Sequence, residues 1–396
     1  MTIGYGLTPY GLGPYGDILP SRVIHLAAPP FPLTRVRGDG TNERAAVQAA
    51  LDYVADEWGS GAVEGLWGQE IRCNTGLTVP AGVQLRHITL DNTGMTGGSA
   101  VTVNGHNGAP LVDVTLTGPG RASTVTGFDI FGVGQTFYNL TATGFGRAVD
   151  VAHSETFINT IAGGSFGENG VGLYADMEAR AASNAGEGVV LAGVTIYNSD
   201  LGFRATGNGL HLDFVAGSRI DFCAEYGQVL NAWVRFSACH LETKAGPGGT
   251  TGNYLFDVAG NSKMAFSGTH VIMGGGDGSD LFHLFKSITG PANYANGRAT
   301  FDDTCSIYCV TPANTEQTQW GDWMVAWPAG QTTQTFHSAF PLKWCALSVE
   351  FCTTDNYLAA ASGADHPYVS AVAAGSGSFT VTAPANANHR WLRVRF

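Results

Sequence analysis

Residues 143–170 read TGFGRAVDVAHSETFINTIAGGSFGENG, a segment that begins and ends with a similar glycine-ended tetrapeptide. Related tetrapeptides follow as SDLG at 199–202 and AEYG at 224–227. We take Gly144, Glu168, Asp200 and Glu225 as equivalent; the first and last of the steps between them are nearly equal, and the step from Glu168 to Asp200 is longer. The sequence therefore predicts a repeat of about two dozen residues with one longer step.

Short apolar alternations surround these tetrapeptides from about Leu77 to Cys309, and glycine, asparagine, aspartate and serine separate them. Examples are VQLRHITL, LVDVTLTG, VVLAGVTIYN, LHLDF and VRFSACHL. No helix-length segment interrupts them, so each repeat holds two or three strands. Such units bury their apolar faces by stacking, which predicts an all-β, right-handed parallel β-helix, or solenoid. A β-sandwich or propeller would also give many short strands, but it explains neither the period nor the single helix that precedes it.

That helix is predicted over residues 42–58, because apolar residues recur there at helical spacing. The stripe consists of Val47, Ala50, Leu51, Val54 and Trp58. Thr41 or Asp39 can cap its start, and Gly59 can take the left-handed turn that ends it. Because the first coil of a solenoid exposes an unpaired edge, we expect this helix to cap it.

Composition excludes several classes of protein. The 396 residues carry a net charge of −12, which would repel a nucleic-acid backbone, so we expect no nucleic-acid binding. No run of about 18 apolar residues and no secretory signal pattern is present, which predicts synthesis in a cytoplasm and no membrane insertion.

Seven scattered cysteines fit no disulfide framework and are expected to be mostly buried thiols. Cys305 and Cys309 have a spacing that could begin a zinc site, but no second ligand pair follows. We therefore predict no metal and no cofactor.

The start of the repeat region resembles a known family. GDGTNERAAVQAALDYV (38–54) followed by LTVPAGVQL (77–85) resembles the start of the pectate-lyase-like β-helices in tailspikes of tailed bacteriophages. The end of the chain, with FPLKWCALSVEF (340–351), YVSAVAAGSGSFTVTAP (368–384) and RWLRVRF (390–396), resembles the small β-rich C-terminal domain of phage tail fibres.

These resemblances imply a homotrimeric tail protein of the virion that recognises a bacterial surface polysaccharide, capsule or O-antigen. Four regions are then expected. Residues 1–36, rich in Tyr, Gly and Pro, form an arm that attaches to the phage tail or baseplate; 37–76 hold the capping helix and the approach to the solenoid; 77–315 form the parallel β-helix; and 316–396 form a C-terminal domain for trimerisation or receptor binding.

Glycoside hydrolysis needs two carboxylates, one on each side of the scissile bond. They lie about 5 Å apart in enzymes that retain the configuration of the anomeric carbon. Equivalent acids on neighbouring coils, roughly 4.8 Å apart, would meet this requirement. Glu168, Asp200 and Glu225 form such a predicted ladder, and Asp221 is a further catalytic candidate. The alternative is that each is an ordinary acidic turn residue facing water.

A second candidate cluster lies on two predicted strands, where alternation leaves His211 and Asp213 outside on one, and Trp233 and Arg235 on the other. One ordinary repeat step would put Arg235 beside His211. These side chains could bind an acidic sugar, or His and Arg could support β-elimination; a plain solvated polar face is the alternative.

The longer repeat step contains YADMEARAASNAGEG (174–188), which we interpret as a loop that could carry binding residues. Asp176 and Glu178 are its candidates for substrate binding. Three functions remain open from the sequence: a depolymerase that acts as a glycoside hydrolase or, less favoured, a lyase; a non-catalytic receptor-binding fibre; and a free bacterial pectate-lyase-like enzyme, which the fibre-like C-terminus disfavours.

Overall fold

The computed structural model describes residues 22–66, 68–105, 108–154, 156–178, 186–242, 254–260, 262–274, 283–285, 298–301, 304–310, 322–327, 330–337, 348–352, 367–373, 378–385 and 390–395. The chain forms two compact units, Met1–Leu212 and Asp213–Phe396. The predicted attachment role of residues 1–21 and the Cys309 side chain lie outside the described residues.

The first unit contains helix α1, Arg44–Tyr53, which continues into a π-helical turn, Val54–Trp58. Val47, Ala50, Leu51 and Val54 of the predicted stripe are buried, and Gly59 ends the helix with φ at 68°. The predicted caps Thr41 and Asp39 are not used: the N-cap residue is Glu43, without a side-chain capping bond. Asp39 instead accepts hydrogen bonds from the amide and hydroxyl of Thr41.

The fifteen strands that lie entirely in the first unit are β1 Val23–His25, β2 Gly61–Glu64, β3 Glu70–Arg72, β4 Leu77–Val79, β5 Val83–Asp91, β6 Ser99–Asn104, β7 Leu111–Thr117, β8 Thr126–Phe131, β9 Thr136–Thr143, β10 Arg147–Asp150, β11 Thr160–Gly167, β12 Val171–Asp176, β13 Val189–Ala192, β14 Thr195–Tyr197 and β15 Leu201–Thr206.

These strands form two parallel sheets. Sheet A joins β1, β2, β5, β7, β9 and β11 in that order, with β3 on β5 and with β13 and β14 on β11. Sheet B joins β4, β6, β8, β10, β12 and β15. Sheet B buries a vertical column of apolar side chains in register, namely Leu77, Val101, Phe128, Val149, Leu173 and Phe203.

Helix α1 covers the first strand of sheet B. The Gln48 side chain accepts a hydrogen bond from the Thr78 amide at 2.8 Å and donates one to the Thr78 carbonyl at 2.9 Å. The Arg44 guanidinium donates to the Gly76 carbonyl at 2.8 Å. These bonds satisfy backbone groups that an edge strand would otherwise expose, which confirms the predicted capping role.

Sheet A bends where single residues adopt left-handed backbone conformations on successive coils. His87, Asp113 and Asn139 have φ values of 50°, 52° and 53°, and each lies within β5, β7 or β9. Their side chains form a ladder along the bend: His87 Nδ1 is 2.9 Å from Asp113 Oδ2, and Asn139 Nδ2 donates to Asp113 Oδ1 at 2.9 Å.

The second unit begins within β16 and continues with parallel strands. They are β16 His211–Val215, β17 Arg219–Asp221, β18 Glu225–Leu230, β19 Trp233–Ser237, β20 His240–Glu242, β21 Tyr254–Ala259, β22 Lys263–Ser267, β23 His270–Gly274, β24 His283–Phe285, β25 Arg298–Phe301 and β26 Ser306–Val310.

Three parallel rows make up this part of the solenoid: β19, β22 and β25; β17, β20, β23 and β26; and β18, β21 and β24. Phe214, Phe236 and Phe266 stack face to face in the core, with ring centroids 4.8 and 5.1 Å apart.

The second unit ends in two three-stranded antiparallel sheets, β27–β32–β29 and β28–β31–β30. Their strands are β27 Asp322–Trp327, β28 Thr333–His337, β29 Ser348–Cys352, β30 Tyr368–Ala373, β31 Ser378–Thr382 and β32 Arg390–Arg395. The predicted β-rich C-terminal region is therefore present, and its likeness to a tail-fibre domain stays a prediction.

The predicted parallel β-solenoid is confirmed, with two refinements. Steps between equivalent core residues are uneven: the step from Phe128 to Val149 is shorter than the step from Val149 to Leu173, and the step from Leu173 to Phe203 is longer than both. The sheet also starts before residue 77, because β1 and β2 already pair in parallel with the following coil.

Two further predictions can be compared with the described residues. Cys73, Cys223 and Cys239 are buried and form no disulfide within the described part of the chain. Burial raises the pKa of Cys73 and Cys239 to about 12, which leaves these two thiols protonated and unreactive. Among the described residues, no helix has the length and apolar character needed to cross a membrane.

Candidate active site

Strands β17 and β20 of the second unit bring two carboxylates together. Asp221 is the register partner of Glu242, and Ile220 is the register partner of Leu241. Ile220 and Leu241 are fully buried, so the residues on either side of them lie on the opposite face of the sheet. Two acids therefore stand next to each other on neighbouring coils.

His240 completes this group. Its Nε2 atom is 3.1 Å from Glu242 Oε2 and 3.9 Å from Asp221 Oδ1. One polar atom from each of Asp221, His240 and Glu242 lies within 4.8 Å of the others. On the next coil, the His270 ring lies 5.6 Å from the His240 ring, centroid to centroid. We call Asp221, His240 and Glu242 the β17–β20 cluster.

The two carboxylates differ in environment. The Asp221 side chain is 12% exposed and the Glu242 side chain is 36% exposed. Burial raises the pKa of Asp221 above its usual value, although the nearby His240 and Arg219 oppose the rise. Oδ1 of Asp221 is buried and has no hydrogen-bond partner within the described part of the chain. Asp221 is thus suited to hold a proton to a higher pH than an ordinary aspartate, and the Glu242 carboxyl is the more exposed of the two.

Close to this cluster, the second residue of β18, Tyr226, is completely buried. Burial, together with the nearby Cys223 and Asp221, raises the pKa of Tyr226 well above its usual value. Its hydroxyl therefore stays protonated and adds no charge to the cluster.

Two carboxylates and an imidazole so close together suit proton transfer, and their atoms are also near enough to hold a divalent cation. A second group with this spacing lies in the first unit, formed by Asp129, Asp150 and His153.

In that group the polar atoms have hydrogen-bond partners, some within the group and some on neighbouring residues. His153 Nε2 is 2.6 Å from Asp129 Oδ1, and the Ser99 hydroxyl donates to Asp129 Oδ2 at 2.9 Å. Asp150, whose side chain is fully buried, accepts from Arg147 Nη1 at 2.9 Å and from the Ala152 amide at 3.0 Å. The His153 ring stacks on Phe131. This arrangement is a satisfied hydrogen-bond network.

The predicted ladder of Glu168, Asp200 and Glu225 has a different register. In the first unit Val171 pairs with Leu201, so Asp200 is level with Gly170, two residues beyond Glu168. Glu168 is exposed at a left-handed corner with φ at 56°, and its amide donates to the Tyr197 carbonyl. Asp200 is exposed and lies 3.2 Å from Arg121 Nη1. The structure does not bring these two acids to equivalent positions, because the coil between β12 and β15 is shorter than the separation of Glu168 and Asp200 along the chain.

Glu225 begins β18 in the second unit and accepts a hydrogen bond from Gln228 Nε2 at 3.1 Å. Of the four predicted catalytic acids, Asp221 is the one that lies beside a second carboxylate on a neighbouring strand among the described residues.

The predicted binding cluster is partly assembled. Arg235 Nη2 is 2.8 Å from Asp213 Oδ2, so the register makes Asp213 its neighbour instead of the predicted His211. Trp233 is 46% exposed, and the Lys263 ammonium lies 3.9 Å from the centre of its ring. His211 is exposed at the start of β16.

The predicted loop residues lie at the end of β12. Asp176 is buried, and its Oδ2 is 2.7 Å from Arg204 Nε, whereas Glu178 is exposed. Burial excludes direct contact between Asp176 and a ligand in this conformation. The following residues of this loop, 179–185, lie outside the described residues.

The first unit also contains a groove of about 360 Å³ between Pro80 and Pro110. None of its described lining residues is titratable, so it offers shape and backbone polarity but no acid–base chemistry.

Sequence reasoning missed Glu242 and His240. The available signal was the alternation in HLE (240–242), where Leu241 is the inward residue and lies one short coil after Ile220. A period of about two dozen residues passes over this match, because the coil between Asp221 and Glu242 is shorter than the average.

Comparisons with known proteins give fold-level similarity. No family of protein sequences and no curated protein matches the chain. Among solved structures, it is similar to the tailspike protein of Acinetobacter phage vB_ApiP_P1, at 12% identity and a TM-score of 0.40, over 94% of this chain and 86% of that one.

Two other similar structures are those of proteins described as enzymes. One is gp49 of Acinetobacter baumannii phage Fri1, a capsular polysaccharide depolymerase, at 10% identity and a TM-score of 0.34, over 94% of this chain and 85% of that one. The other is an alginate lyase from Paenibacillus sp. str. FPU-7, at 12% identity and a TM-score of 0.36, over 66% of this chain and 96% of that one. These likenesses are too distant to assign an activity to this chain.

Proposed function

We propose that this protein is a phage tailspike that binds a bacterial surface polysaccharide and hydrolyses its glycosidic bonds at the β17–β20 cluster. The observation that carries the proposal is the direct pairing of Asp221 with Glu242 on neighbouring coils, within 4.8 Å of His240 and of each other. Retaining glycosidases hold their two carboxyl groups about 5–5.5 Å apart.

The roles follow from the two environments. Asp221, whose pKa is raised by burial, acts in its protonated form and donates its proton to the leaving glycosidic oxygen. The Glu242 carboxylate attacks the anomeric carbon and forms a glycosyl ester. Asp221, now ionised, takes a proton from a water molecule that attacks the same carbon, which releases the sugar and restores both side chains.

His240 acts as a positioning residue in this scheme. Its 3.1 Å contact with Glu242 Oε2 fixes the carboxylate in one orientation, and the same Nε2 atom lies 3.9 Å from Asp221 Oδ1. A side chain held by a hydrogen bond on a rigid strand loses less freedom when the substrate binds.

The resemblance at both ends of the sequence supports placing the protein in the phage tail as a homotrimer attached through its N-terminal arm. A capsule or O-antigen is then the expected substrate.

The direct test is incubation of the purified protein with capsule or O-antigen of a candidate host, followed by measurement of new reducing ends. Unsaturated products absorbing in the ultraviolet would indicate a lyase instead. Proton NMR of the first product should show a retained anomeric configuration. An inverted product would contradict the assigned pair.

A non-catalytic receptor-binding fibre is the second candidate. The observation that favours it is the exposed row of Trp233, Arg235 and Lys263, which offers an aromatic ring and two cations to a glycan without needing an acid–base pair. Saturable binding of the polysaccharide with no new reducing ends would select this function.

A further inference from the structure

Two arginines on sheet B of the first unit are each held by a buried aspartate. Arg147 Nη1 is 2.9 Å from Asp150 Oδ2, and Arg204 Nε is 2.7 Å from Asp176 Oδ2. The aspartate side chains are 0% and 2% exposed, whereas the arginine side chains are 37% and 44% exposed. Each guanidinium is therefore held by a buried carboxylate and remains partly exposed to solvent.

Tyr174 lies between the two arginines. It is the register partner of Asp150 on one side and of Arg204 on the other. The guanidinium carbon of Arg147 lies 3.6 Å from the centre of the Tyr174 ring, a cation–π contact. Arg147 and Arg204 belong to strands two spacings apart, about 9–10 Å. Both cations therefore border one aromatic residue on a rigid surface.

The anchoring contacts use one edge of each guanidinium. Within the described residues, Arg147 and Arg204 make no hydrogen bond or ion pair beyond those with Asp150 and Asp176. The remaining N–H groups are donors in a fixed plane, and they need no reorganisation to receive a ligand.

From this geometry we infer that Arg147, Tyr174 and Arg204 form a binding site for the carboxylate of an acidic sugar residue. A carboxylate matches the planar donor pair of a guanidinium. The buried aspartates offset part of the positive charge, and Glu178 is exposed nearby in the chain, which favours a singly charged ligand over a phosphate dianion.

Asp176, a predicted substrate-binding residue, then has an indirect role as a positioning residue for Arg204. The inference goes beyond the proposed hydrolysis, because it concerns recognition in the first unit alone. It stands whether or not Asp221 and Glu242 cleave a bond.

The test uses the full chain and two probes, an oligoglucuronate and its methyl ester, which keeps the sugar rings and removes the charge. Calorimetric titration at low salt should give an affinity for the acid at least about tenfold above that for the ester. Equal affinities, or no heat with either probe at millimolar concentration, would overturn the inference.

Variants locate the site. Arg204→Gln and Arg147→Gln should each remove most of the preference for the acid. Arg121→Gln is the matched control, because Arg121 is a similarly exposed arginine of the same unit paired with the exposed Asp200. Unchanged preference in Arg204→Gln and Arg147→Gln, with thermal unfolding like that of the wild type, would contradict the assignment.

Arg204→Lys keeps the positive charge, so it can still test the proposed site if the glutamine variants fail to fold. It should weaken acid binding because a lysine lacks the planar donor pair. Full affinity in this variant would show that charge alone attracts the probe, and the proposed site would be wrong.

Discussion

Each of the two units contains two acidic side chains and a histidine close together on neighbouring coils, but the hydrogen bonding of the acids differs between the units. In the first unit, Asp129 and Asp150 are register partners, and serine, histidine, arginine and amide groups bind their oxygens. In the second unit, Asp221 and Glu242 are register partners, but Oδ1 of Asp221 is buried without a hydrogen bond in the described structure. Pairing of acids between coils is thus not enough for reactivity; the neighbouring donors decide whether a carboxylate is structural or reactive.

The largest expected contrast is in catalysis. Asp221→Asn and Glu242→Gln should each lower the rate of polysaccharide cleavage by about 10²–10⁴-fold, because each removes a group that we propose acts on the scissile bond. Reducing-end assays measure the rates. Glu57→Gln, an exposed acid on the π-helical turn that follows α1, is the matched control and should retain full activity. Wild-type rates in both site variants would remove the cluster from the mechanism.

The next contrast is in stability. Asp150→Ala should lower the free energy of unfolding by about 1.5–3 kcal/mol, since it removes hydrogen bonds between a buried carboxylate, Arg147 and the Ala152 amide. Urea unfolding measures the change. A loss as large in Asp221→Ala would show that the two clusters are equally structural, contrary to this account.

A smaller effect is expected in the pH dependence of folding stability, which involves Asp221 of the β17–β20 cluster. The folded-state pKa of Asp221 is raised above its unfolded value, so ionisation weakens the folded state as pH rises from near 3.8 through the raised pKa. Asp221→Asn should therefore gain stability relative to the wild type across that range and keep the gain at neutral pH. Thermal melts below and above the range test this sign, and a variant that loses stability relative to the wild type on going to neutral pH would reverse it.

The smallest effect is expected outside both clusters. Asp200→Asn breaks the ion pair with Arg121, whose side chains are 60% and 42% exposed, so it should change the free energy of unfolding by about 0–1 kcal/mol. It should also leave cleavage unchanged, although the sequence favoured Asp200 as catalytic. A large loss of activity would restore the predicted ladder.

The sequence predicted the architecture well, because a solenoid repeats one burial pattern many times. The column from Leu77 to Phe203 and the stripe of α1 need only alternation and helical spacing to be recognised. An error in the boundaries of one coil therefore does not change the predicted fold.

The site was harder to predict, since it depends on register between coils of unequal length. The predicted register between β12 and β15 was wrong by two residues, so Asp200 is level with Gly170 and not with Glu168. The coil between Asp221 and Glu242 is shorter than the predicted period, so the period did not reveal that these two acids are register partners. Burial of Asp176 under Arg204 is also a three-dimensional fact that alternation in YADME does not reveal.

The role proposed for Asp221 depends on its holding a proton to a higher pH than an ordinary aspartate. Carbon-13 NMR of protein labelled at the aspartate side-chain carboxyl carbon, with Asp221→Asn used to assign the signal, follows its titration directly. We expect a titration midpoint for Asp221 above 3.8, the ordinary value for aspartate. A midpoint at or below that value would contradict it.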